Sequence, residues 1–507
     1  MTYVTPGTSQ PSISERRPWS TAVTVTLILL VAAAARFVEL FRHSTIPDEA
    51  FTIWLSAHPL AQMLSILRTG DFHPPLSYLI AHALLALTPK AYLFRAITAA
   101  CGVLGVGATY FLAVRIIGRL AWLPALLTAV TPSLVYFDRF FRMYAILAAL
   151  TALSWLLLVR SLEKPERPWR WVAYAVVAAL LIYTHYLAFF TLAAQAVCVA
   201  VAQPRQWRYW LSLAAAVVAW LPWLPAFLEQ LPNGGTAFNG VTAFQFRYTL
   251  PAFVLTDGLP DALEFNSAYL ALLWALLAAG VIVSVLRPKY RLAAWLLVPI
   301  ALQALYTFAA GRNLLTQRYL LDDVFALNIA VCVPVSALAA GRWRSAGAAM
   351  AAALILLMTN GTIDKLFISK FMAVDWQAYA RFLGGRAQHG DVIVFDDASA
   401  WLALADNPLV RRYPTFPVSN QKAARAVANF IARYPRVWYV DYQSQFSDPN
   451  HLIFDALRRT HPVTRTWVST EEGHLDVVTT TLFAEPTGKL TAPERLRARR
   501  SGPKRAM

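Results

Sequence analysis

The chain has 507 residues, of which 58% are hydrophobic and 14% are charged. Soluble globular proteins carry roughly 45–50% apolar and about 25% charged residues, so most of this apolar surface must face lipid. The formal net charge of +17 does not indicate a nucleic-acid partner, because the basic residues lie between apolar runs and form no single patch. The three cysteines lie in three different apolar runs, which excludes a disulfide framework.

The N-terminal two-thirds of the chain consists of apolar runs separated by short polar gaps. Residues 1–18 are polar and predict a disordered cytoplasmic tail. The run 19–38 can cross about 30 Å of hydrocarbon as a helix. The alternative is a cleaved signal peptide, but the later apolar runs need no separate export signal. Together with this run, ten others predict about eleven transmembrane helices within 19–359. These are 93–114, 120–136, 143–159, 171–184, 186–203, 209–228, 267–286, 292–310, 319–340 and 345–359.

Basic residues occupy alternate gaps between these runs, which predicts a cytoplasmic N-terminus and an extracytoplasmic C-terminus. The run 76–88 is too short to span and predicts a helix lying at the interface. It belongs to one of two long outer loops, 39–92 and 229–266. The sequence therefore indicates a multi-pass protein of the cell (inner) membrane.

After residue 360 the composition changes to that of a small extracytoplasmic α/β domain, covering 360–485. A basic, disordered tail, 486–507, follows it. Within the domain, buried strands are predicted at 391–397 and 436–441 and a β-rich segment at 474–483, with helices at 375–388 and 421–433.

Unusual polar residues gather at the outer ends of the predicted spans. Ionisable groups near membrane depth are costly and are treated first as functional candidates. Each group also has a structural explanation: a solvated loop, a satisfied histidine, arginines that snorkel to the interface, or an Arg318–Asp322 pair on one helix face. The groups are Asp48-Glu49, Asp71 with His73, Arg95, Asp138-Arg139 with Arg142 and Tyr144, His185-Tyr186, and Arg312 with Arg318-Tyr319 and Asp322-Asp323.

All these groups lie on the outer side of the predicted topology, whereas the deep parts of most spans are nearly free of charge. A pump or channel more typically carries polar residues along a path through the bilayer midplane. The distribution favours chemistry at the outer surface on a substrate delivered by the lipid.

The order of these motifs resembles that of the polytopic glycosyltransferases of the GT-C fold, which use lipid-linked phosphosugars. The likeness is greatest to family 39, the protein mannosyltransferases and aminoarabinose transferases. It covers roughly residues 20–190, with a looser likeness at Asp375-Trp376. Where relatives often carry a polar residue before Arg-Met-Tyr, this chain has Phe140. The matching elements are Asp48-Glu49, His73-Pro74-Pro75-Leu76, Arg95, Arg142-Met143-Tyr144 and Thr184-His185-Tyr186.

The resemblance implies a donor sugar linked through phosphate to a polyprenol, and an acceptor hydroxyl on a protein, a lipid or a glycan. Asp48 would be the general base, and arginines would stabilise the departing phosphate, with inversion at the anomeric carbon. Glu49 and His185 could hold a divalent cation, the one cofactor considered. The expected substrate-binding residues are Glu49, His73, Arg95, Asp138, Arg139, Arg142, Tyr144, His185, Tyr186, Arg312, Arg318 and Tyr319.

Two alternatives share the membrane architecture. A transporter or flippase for lipid-linked glycans would translocate its substrate without forming a bond. A ligase or polymerase would transfer long glycans instead of one sugar.

Overall fold

A computed structural model describes residues 18–41, 45–88, 90, 93–231, 267–311, 313–368, 374–405, 407–431, 433–442, 444–469 and 478–484. The tail 486–507, residues 1–17 of the N-terminal tail, most of the loop 229–266 and Arg312 lie outside the described residues. The chain divides into two compact units, and we call 1–41 with 58–370 the membrane unit. We call 42–57 with 371–507 the α/β unit.

The described part of residues 18–363 consists of helices joined by loops and turns. In chain order they are α1 (Pro18–Phe37), α2 (Pro47–Ser56), α3 (Leu60–Gly70), α4 (Leu76–Leu87), α5 (Phe94–Ile117), α6 (Trp122–Ala129), α7 (Pro132–Asp138), α8 (Met143–Glu163), α9 (Pro168–Thr184), α10 (Ala188–Ala202), α11 (Trp207–Trp220), α12 (Leu224–Gln230), α13 (Ser267–Leu286), α14 (Arg291–Leu296), α15 (Val298–Ala310), α16 (Gln317–Leu320), α17 (Val324–Ala339) and α18 (Arg344–Ile363).

The membrane unit holds fewer long helices than the eleven spans expected. Five segments of the described residues are long and apolar enough to cross a membrane, or six if one bent pair, Leu273–Leu286 with Pro288–Leu296, counts as a single span. The count of eleven is therefore not confirmed. Five shorter apolar helices, among them α4, lie in other predicted runs. The five long segments are Phe94–Ala129, Met143–Glu163, Trp207–Gln230, Arg318–Ala339 and Arg344–Phe367.

Local chain breaks explain several of the short helices. Gly118 has a φ of 59°, a conformation that favours glycine, and α5 ends immediately before it. Pro132 begins α7 after a break, because proline suits the first turn of a helix and disrupts its interior. Extended backbone at His185 separates α9 from α10, so each remains shorter than a typical span.

Small residues let the central helices of the membrane unit approach closely. A Cβ atom added at Gly105 of α5 would lie 3.5 Å from the Cα of Ala149 in α8. One added at Gly280 of α13 would lie 2.3 Å from the carbonyl oxygen of Ala330 in α17. Helix α17 lies in the apolar segment Arg318–Ala339, whose most apolar stretch is 89% buried, as a helix inside a bundle requires.

The α/β unit contains a five-stranded sheet in the order β2-β1-β3-β5-β4. Strands β2, β1 and β3 are parallel, whereas β5 runs antiparallel to both β3 and β4. The strands and helices predicted in this region are confirmed over the described residues. In chain order they are α19 (Trp376–Gly384), β1 (Val392–Phe395), α20 (Ala398–Leu404), β2 (Thr415–Pro417), α21 (Gln421–Ile431), β3 (Arg436–Asp441), α22 (Ser444–Ser447), α23 (Leu452–Thr460), β4 (Val463–Ser469) and β5 (Val478–Ala484).

Side chains of β1 alternate between two cores, as the two-residue period of a strand requires. Ile393 and Phe395 pack on the side of α19 and α20, and Val392 and Val394 pack on the side of α21 and α23. The sheet is therefore covered on both faces. Helix α2 packs against α20, which places residues of the first predicted outer loop in this unit.

Candidate active site

Three predicted site residues of the membrane unit come together although they are far apart in sequence. His73 lies in the loop between α3 and α4, Arg142 is the residue before α8, and His185 lies in the turn between α9 and α10. Their exposed fractions are 4%, 8% and 7%. With Asp71 and Tyr78 they form what we call the His73–His185 cluster.

The local sequence explains why each residue lies just before a helix. Pro74 and Pro75 cannot continue α3, and they suit the entry to α4, so His73 is held in the connecting loop. Arg142 has extended backbone, with a φ of −135°, at the N-cap of α8. His185 is likewise extended and ends α9. Three helices thus begin within three residues of the cluster, and helix N-termini favour anions.

Asp71 connects the other members of the cluster. Its Oδ1 lies 2.9 Å from Nδ1 of His73 and accepts the backbone N–H of Phe72 at 2.7 Å. Its Oδ2 accepts a hydrogen bond from the Tyr78 hydroxyl. Burial acts to raise the pKa of Asp71, but His73 and Arg142 outweigh burial and lower that pKa to about 2. Asp71 is therefore a carboxylate at any physiological pH.

His185 lies against the rest of the cluster and against two tyrosines. Its ring centre is 5.3 Å from that of His73, 6.2 Å from that of Tyr144 and 5.9 Å from that of Tyr319. Its Nδ1 accepts the backbone N–H of Leu187 at 3.1 Å. Burial, followed by His73 and Arg142, lowers the pKa of His185 well below its ordinary value.

Gln230, at the end of α12, joins the turn after α9 to the loop before α4. Its side-chain amide donates to the carbonyl of Leu67 at 2.8 Å and to that of His73 at 3.5 Å. Its Oε1 accepts from the hydroxyl of Tyr186, which in turn accepts from the indole N–H of Trp223 at 3.0 Å. Tyr186 therefore supports the backbone of the cluster through Gln230.

Asp138 and Arg139 contact α1. Asp138 accepts a hydrogen bond from Nε of Arg36 at 2.7 Å, and both residues are almost fully buried. Arg36 also donates to the carbonyls of Ala129 and Thr128 at 2.8 and 3.3 Å. Arg139 donates to the carbonyl of Val38 at 2.6 Å, beyond the end of α1. These contacts tie α1 to α6 and α7.

The remaining predicted residues of the membrane unit lie on other elements. Arg95 is buried at the start of α5, donates to the carbonyl of Leu40 at 3.4 Å and lies 5.9 Å from the ring centre of Phe140. Arg318 and Tyr319 are half-buried in α16. The expected Arg318–Asp322 pair is not formed: neither carboxylate oxygen of Asp322 has a hydrogen-bond partner among the described residues.

Asp48 and Glu49 occupy the first turn of α2, in the α/β unit. Asp48 is half-buried, whereas Glu49 is 1% exposed and accepts the backbone N–H of Ile46 at 3.2 Å. Acidic side chains in a first turn are favourable because they face the positive end of the helix dipole. Glu49 therefore stabilises the start of α2.

The chemistry of the donor set gives little support to a metal centre. Within the described ranges, no group of three or more His, Cys, Asp or Glu side chains could hold a metal ion. The pairing of Glu49 with His185 as metal ligands has no third ligand of these types there, and we derive no step through a cation.

Sequence reasoning assigned no role to Arg36, Tyr78 or Gln230, and it noted Asp71 without giving it a function. Asp71 carried a usable signal, since an acid two residues before a histidine can reach the near ring nitrogen. Arg36 carried one too, as an arginine inside an apolar run. Tyr78 and Gln230 carried none, because both lie in ordinary helical sequence.

Comparison with known proteins rests on structure alone, since no family model and no curated protein matches the sequence. The aminoarabinose transferase ArnT from Cupriavidus metallidurans, in the apo state, has a TM-score of 0.54 and 14% identity, covering 91% of this chain and 98% of that one. The same enzyme bound to undecaprenyl phosphate has a TM-score of 0.50.

An archaeal oligosaccharyltransferase, AglB from Archaeoglobus fulgidus, is also similar. In complex with an inhibitory peptide and a dolichol-phosphate it has a TM-score of 0.54 and 12% identity, covering 94% of this chain and 75% of that one. The chain has the GT-C fold. With identities this low, the likeness extends to the fold, a mostly helical membrane protein with a small C-terminal sheet.

Proposed function

We propose that the chain is a membrane glycosyltransferase that moves a sugar from a polyprenyl-phosphate donor to an acceptor hydroxyl at the outer face of the membrane. The GT-C fold supports this general class, and two of the similar structures hold undecaprenyl phosphate or dolichol-phosphate. In this proposal the N-terminus is cytoplasmic, and the acceptor is a protein, a lipid or a glycan.

The observation that carries the proposal is the position of Arg142 at the His73–His185 cluster. Arg142 is buried at the N-terminus of α8, and its charge affects both Asp71 and His185. A guanidinium group binds phosphate in bidentate fashion, and α4, α8 and α10 each begin within three residues of a member of the cluster. The donor phosphate would bind here, with its lipid tail in the bilayer.

The reaction needs a base for the acceptor and charge stabilisation for the leaving group. The acceptor oxygen attacks the anomeric carbon while Asp48 takes its proton. The bond from that carbon to the phosphate oxygen breaks, and its electron pair stays on the polyprenyl phosphate. Arg142 stabilises the extra negative charge. A single displacement of this kind inverts the anomeric configuration.

Other predicted residues keep narrower roles. Arg95 and Arg318 remain candidates for further phosphate contacts, and Tyr144 and Tyr319 for contacts with the sugar. We assign Asp138 and Arg139 to holding α1 in place, since their contacts are with Arg36 and with α1 carbonyls.

The test uses the purified full chain in proteoliposomes with lipid-linked sugars. Binding of undecaprenyl phosphate should weaken about 10- to 100-fold in Arg142→Gln, because a charge-assisted hydrogen bond is lost. Arg115→Gln is the matched control, since Arg115, in the last turn of α5, pairs with Glu163 at the C-terminal end of α8, away from Arg142. Unchanged binding in Arg142→Gln would remove the phosphate site. Translocation of a glycan without bond formation would favour the transporter, and transfer of long glycans the ligase.

A further inference from the structure

The His73 and His185 side chains each bury a ring nitrogen without a partner. Nε2 of His73 and Nε2 of His185 have no hydrogen-bond partner among the described residues. Both rings are more than nine-tenths buried, and their centres are 5.3 Å apart. A buried polar atom left unpaired is costly to the fold, so two such atoms side by side point to a ligand that pairs with both.

The partners of the two Nδ1 atoms determine what each Nε2 can offer. Nδ1 of His185 accepts the Leu187 N–H, so it carries no proton, and the proton of the neutral ring is on Nε2. Nδ1 of His73 faces the Asp71 carboxylate, which only accepts, so Nδ1 carries the proton. In their neutral forms the two rings therefore have opposite tautomers, so that His185 offers an N–H donor and His73 offers an acceptor.

Burial, followed by the nearby His73 and Arg142, lowers the pKa of His185, so its ring stays uncharged, while Asp71 remains ionised. A phosphate oxygen can only accept, so it would pair with one of the two nitrogens and oppose the other. A hydroxyl group accepts one hydrogen bond and donates another, so it satisfies both. The titratable and charged groups that face the two rings are Asp71, Tyr78, Arg142, Tyr144 and Tyr319.

We propose that His73 and His185 bind one hydroxyl group of the sugar on the lipid-linked donor, and that Asp71 is the positioning residue that gives His73 the required tautomer. This inference rests on the proposed function. His185 donates its Nε2–H to the hydroxyl oxygen, and the hydroxyl donates its proton to Nε2 of His73 without transferring it. Arg142, which hydrogen-bonds Tyr78 in the same cluster, holds the phosphate to which that sugar is attached.

The arrangement makes the cluster selective for hydroxylated sugars. When a site hydrogen-bonds a substrate hydroxyl through buried groups, an analogue without that hydroxyl leaves those groups unpaired. The first experiment therefore needs no variant. The full chain is given undecaprenyl phosphate bearing glucose, mannose, galactose or arabinose, and dissociation constants are compared with that of undecaprenyl phosphate alone.

The tightest of these donors is then tested as a series of single deoxy analogues. One deoxy position should weaken binding about tenfold or more, since two hydrogen bonds are lost, and the other positions should change it little. If every analogue binds as tightly as the parent, no sugar hydroxyl lies between the two histidines and the proposal is overturned.

Variants then connect the sensitive hydroxyl to the cluster. In His73→Phe and His185→Phe, the parent and the sensitive deoxy donor should bind equally well, while undecaprenyl phosphate alone keeps its affinity. Arg142→Gln should do the reverse: both donors and the bare lipid phosphate weaken, and the hydroxyl preference persists. His82→Phe, on α4 outside the cluster, is the control and should match the wild type.

Asp71→Asn tests the positioning role separately. Replacing the fixed acceptor by an amide removes the constraint on the His73 tautomer, so discrimination between parent and deoxy donor should fall while bare lipid phosphate still binds. A merely structural Asp71 would instead lower all affinities together. The deoxy series in the wild type remains decisive if any variant fails to fold.

The two proposals fail in different ways. A wild-type chain that binds no lipid phosphate and transfers no sugar contradicts the proposed function. A wild-type chain that transfers sugar, with histidine variants that weaken bare undecaprenyl phosphate as much as the donor, contradicts only the hydroxyl site. In that case the histidines would be phosphate ligands.

Discussion

Each unit of the chain buries a group of polar side chains, and the two groups differ in how completely they are paired. In the α/β unit, Oδ1 of Asp396 accepts the Tyr442 N–H and Oδ2 accepts the Tyr439 hydroxyl, both at 2.9 Å. Asp391 accepts from Arg436 at 2.8 Å and from the Trp438 indole at 2.7 Å. In the membrane unit, the His73–His185 cluster leaves two buried ring nitrogens without a partner among the described residues.

We infer from this difference that the acids of the sheet are structural, whereas the His73–His185 cluster is a candidate binding site. A buried polar network whose members are paired within the chain stabilises one arrangement, so the acids of the sheet hold β1 and β3 together. Unpaired buried atoms are costly, and a bound ligand is one source of the missing partner. By this criterion the proposed donor site belongs to the membrane unit. The exception is Asp48, the proposed base, which belongs to the α/β unit.

Asp48 therefore tests whether the α/β unit also contributes a catalytic residue. Asp48→Asn should lower the rate of sugar transfer about 10²- to 10⁴-fold, the usual contribution of a general base, with the fold retained. The measurement is the turnover of purified protein in proteoliposomes, with Asp455→Asn on the exposed face of α23 as the control. Near-normal turnover in Asp48→Asn would remove the assigned base and leave the α/β unit with no catalytic residue.

The Arg36–Asp138 pair tests whether a fully paired network in the membrane unit is also structural. Arg36→Ala leaves Asp138 buried without its cation, and we expect a loss of about 3–5 kcal/mol in the free energy of unfolding. Denaturant unfolding of detergent-solubilised protein measures this loss. The double variant Arg36→Met with Asp138→Leu should recover much of it, because neither charge then remains buried. Equal losses in the single and double variants would contradict this account.

Gly102 and Gly105 of α5 test whether the Arg36–Asp138 pair tolerates displacement. A Cβ atom at Gly102 would lie 2.2 Å from Oδ2 of Asp138, whereas one at Gly105 would make an ordinary 3.5 Å contact with Ala149. Gly102→Ala should destabilise the fold by about 1–3 kcal/mol, the usual range for overpacking. Gly105→Ala is the matched control and should have a smaller effect. Comparable unfolding midpoints for the two variants would show that the ion pair tolerates displacement.

The pH dependence of stability tests whether buried Asp396 belongs to the structural network of the sheet. Burial, and then Asp441, raise the pKa of Asp396 to about 9. The folded state thus binds a proton that the unfolded state releases above about pH 4, so stability falls as pH rises from about 4 to 9. Asp396→Asn should flatten this dependence. Hydrogen exchange of β1 and β3 at several pH values, corrected for intrinsic rates, measures it; an identical slope in the variant would refute the assignment.

Much of the fold could be predicted from local patterns. Strand β1 follows from the run Val392–Phe395 and the helix α4 from its proline boundaries, since both signals are contained in a few adjacent residues. The number of spans could not be predicted, because run length does not show where Gly118 or Pro132 breaks a helix. For the site, His73, Arg142 and His185 were identified as candidates, but nothing in their neighbourhoods showed that they meet.

Hydrophobic run length and strand alternation are local properties that solvent acts on directly, so the order of amino acids is enough to indicate a helical membrane protein with an α/β domain. Which polar residues share a site, and which pair with one another, depends on contacts between residues that are far apart in the chain. Partners such as Asp71 for His73, the Leu187 N–H for His185 and Arg36 for Asp138 exist only once backbone and side chains are placed in space. Those partners determine which buried atoms remain available to a substrate.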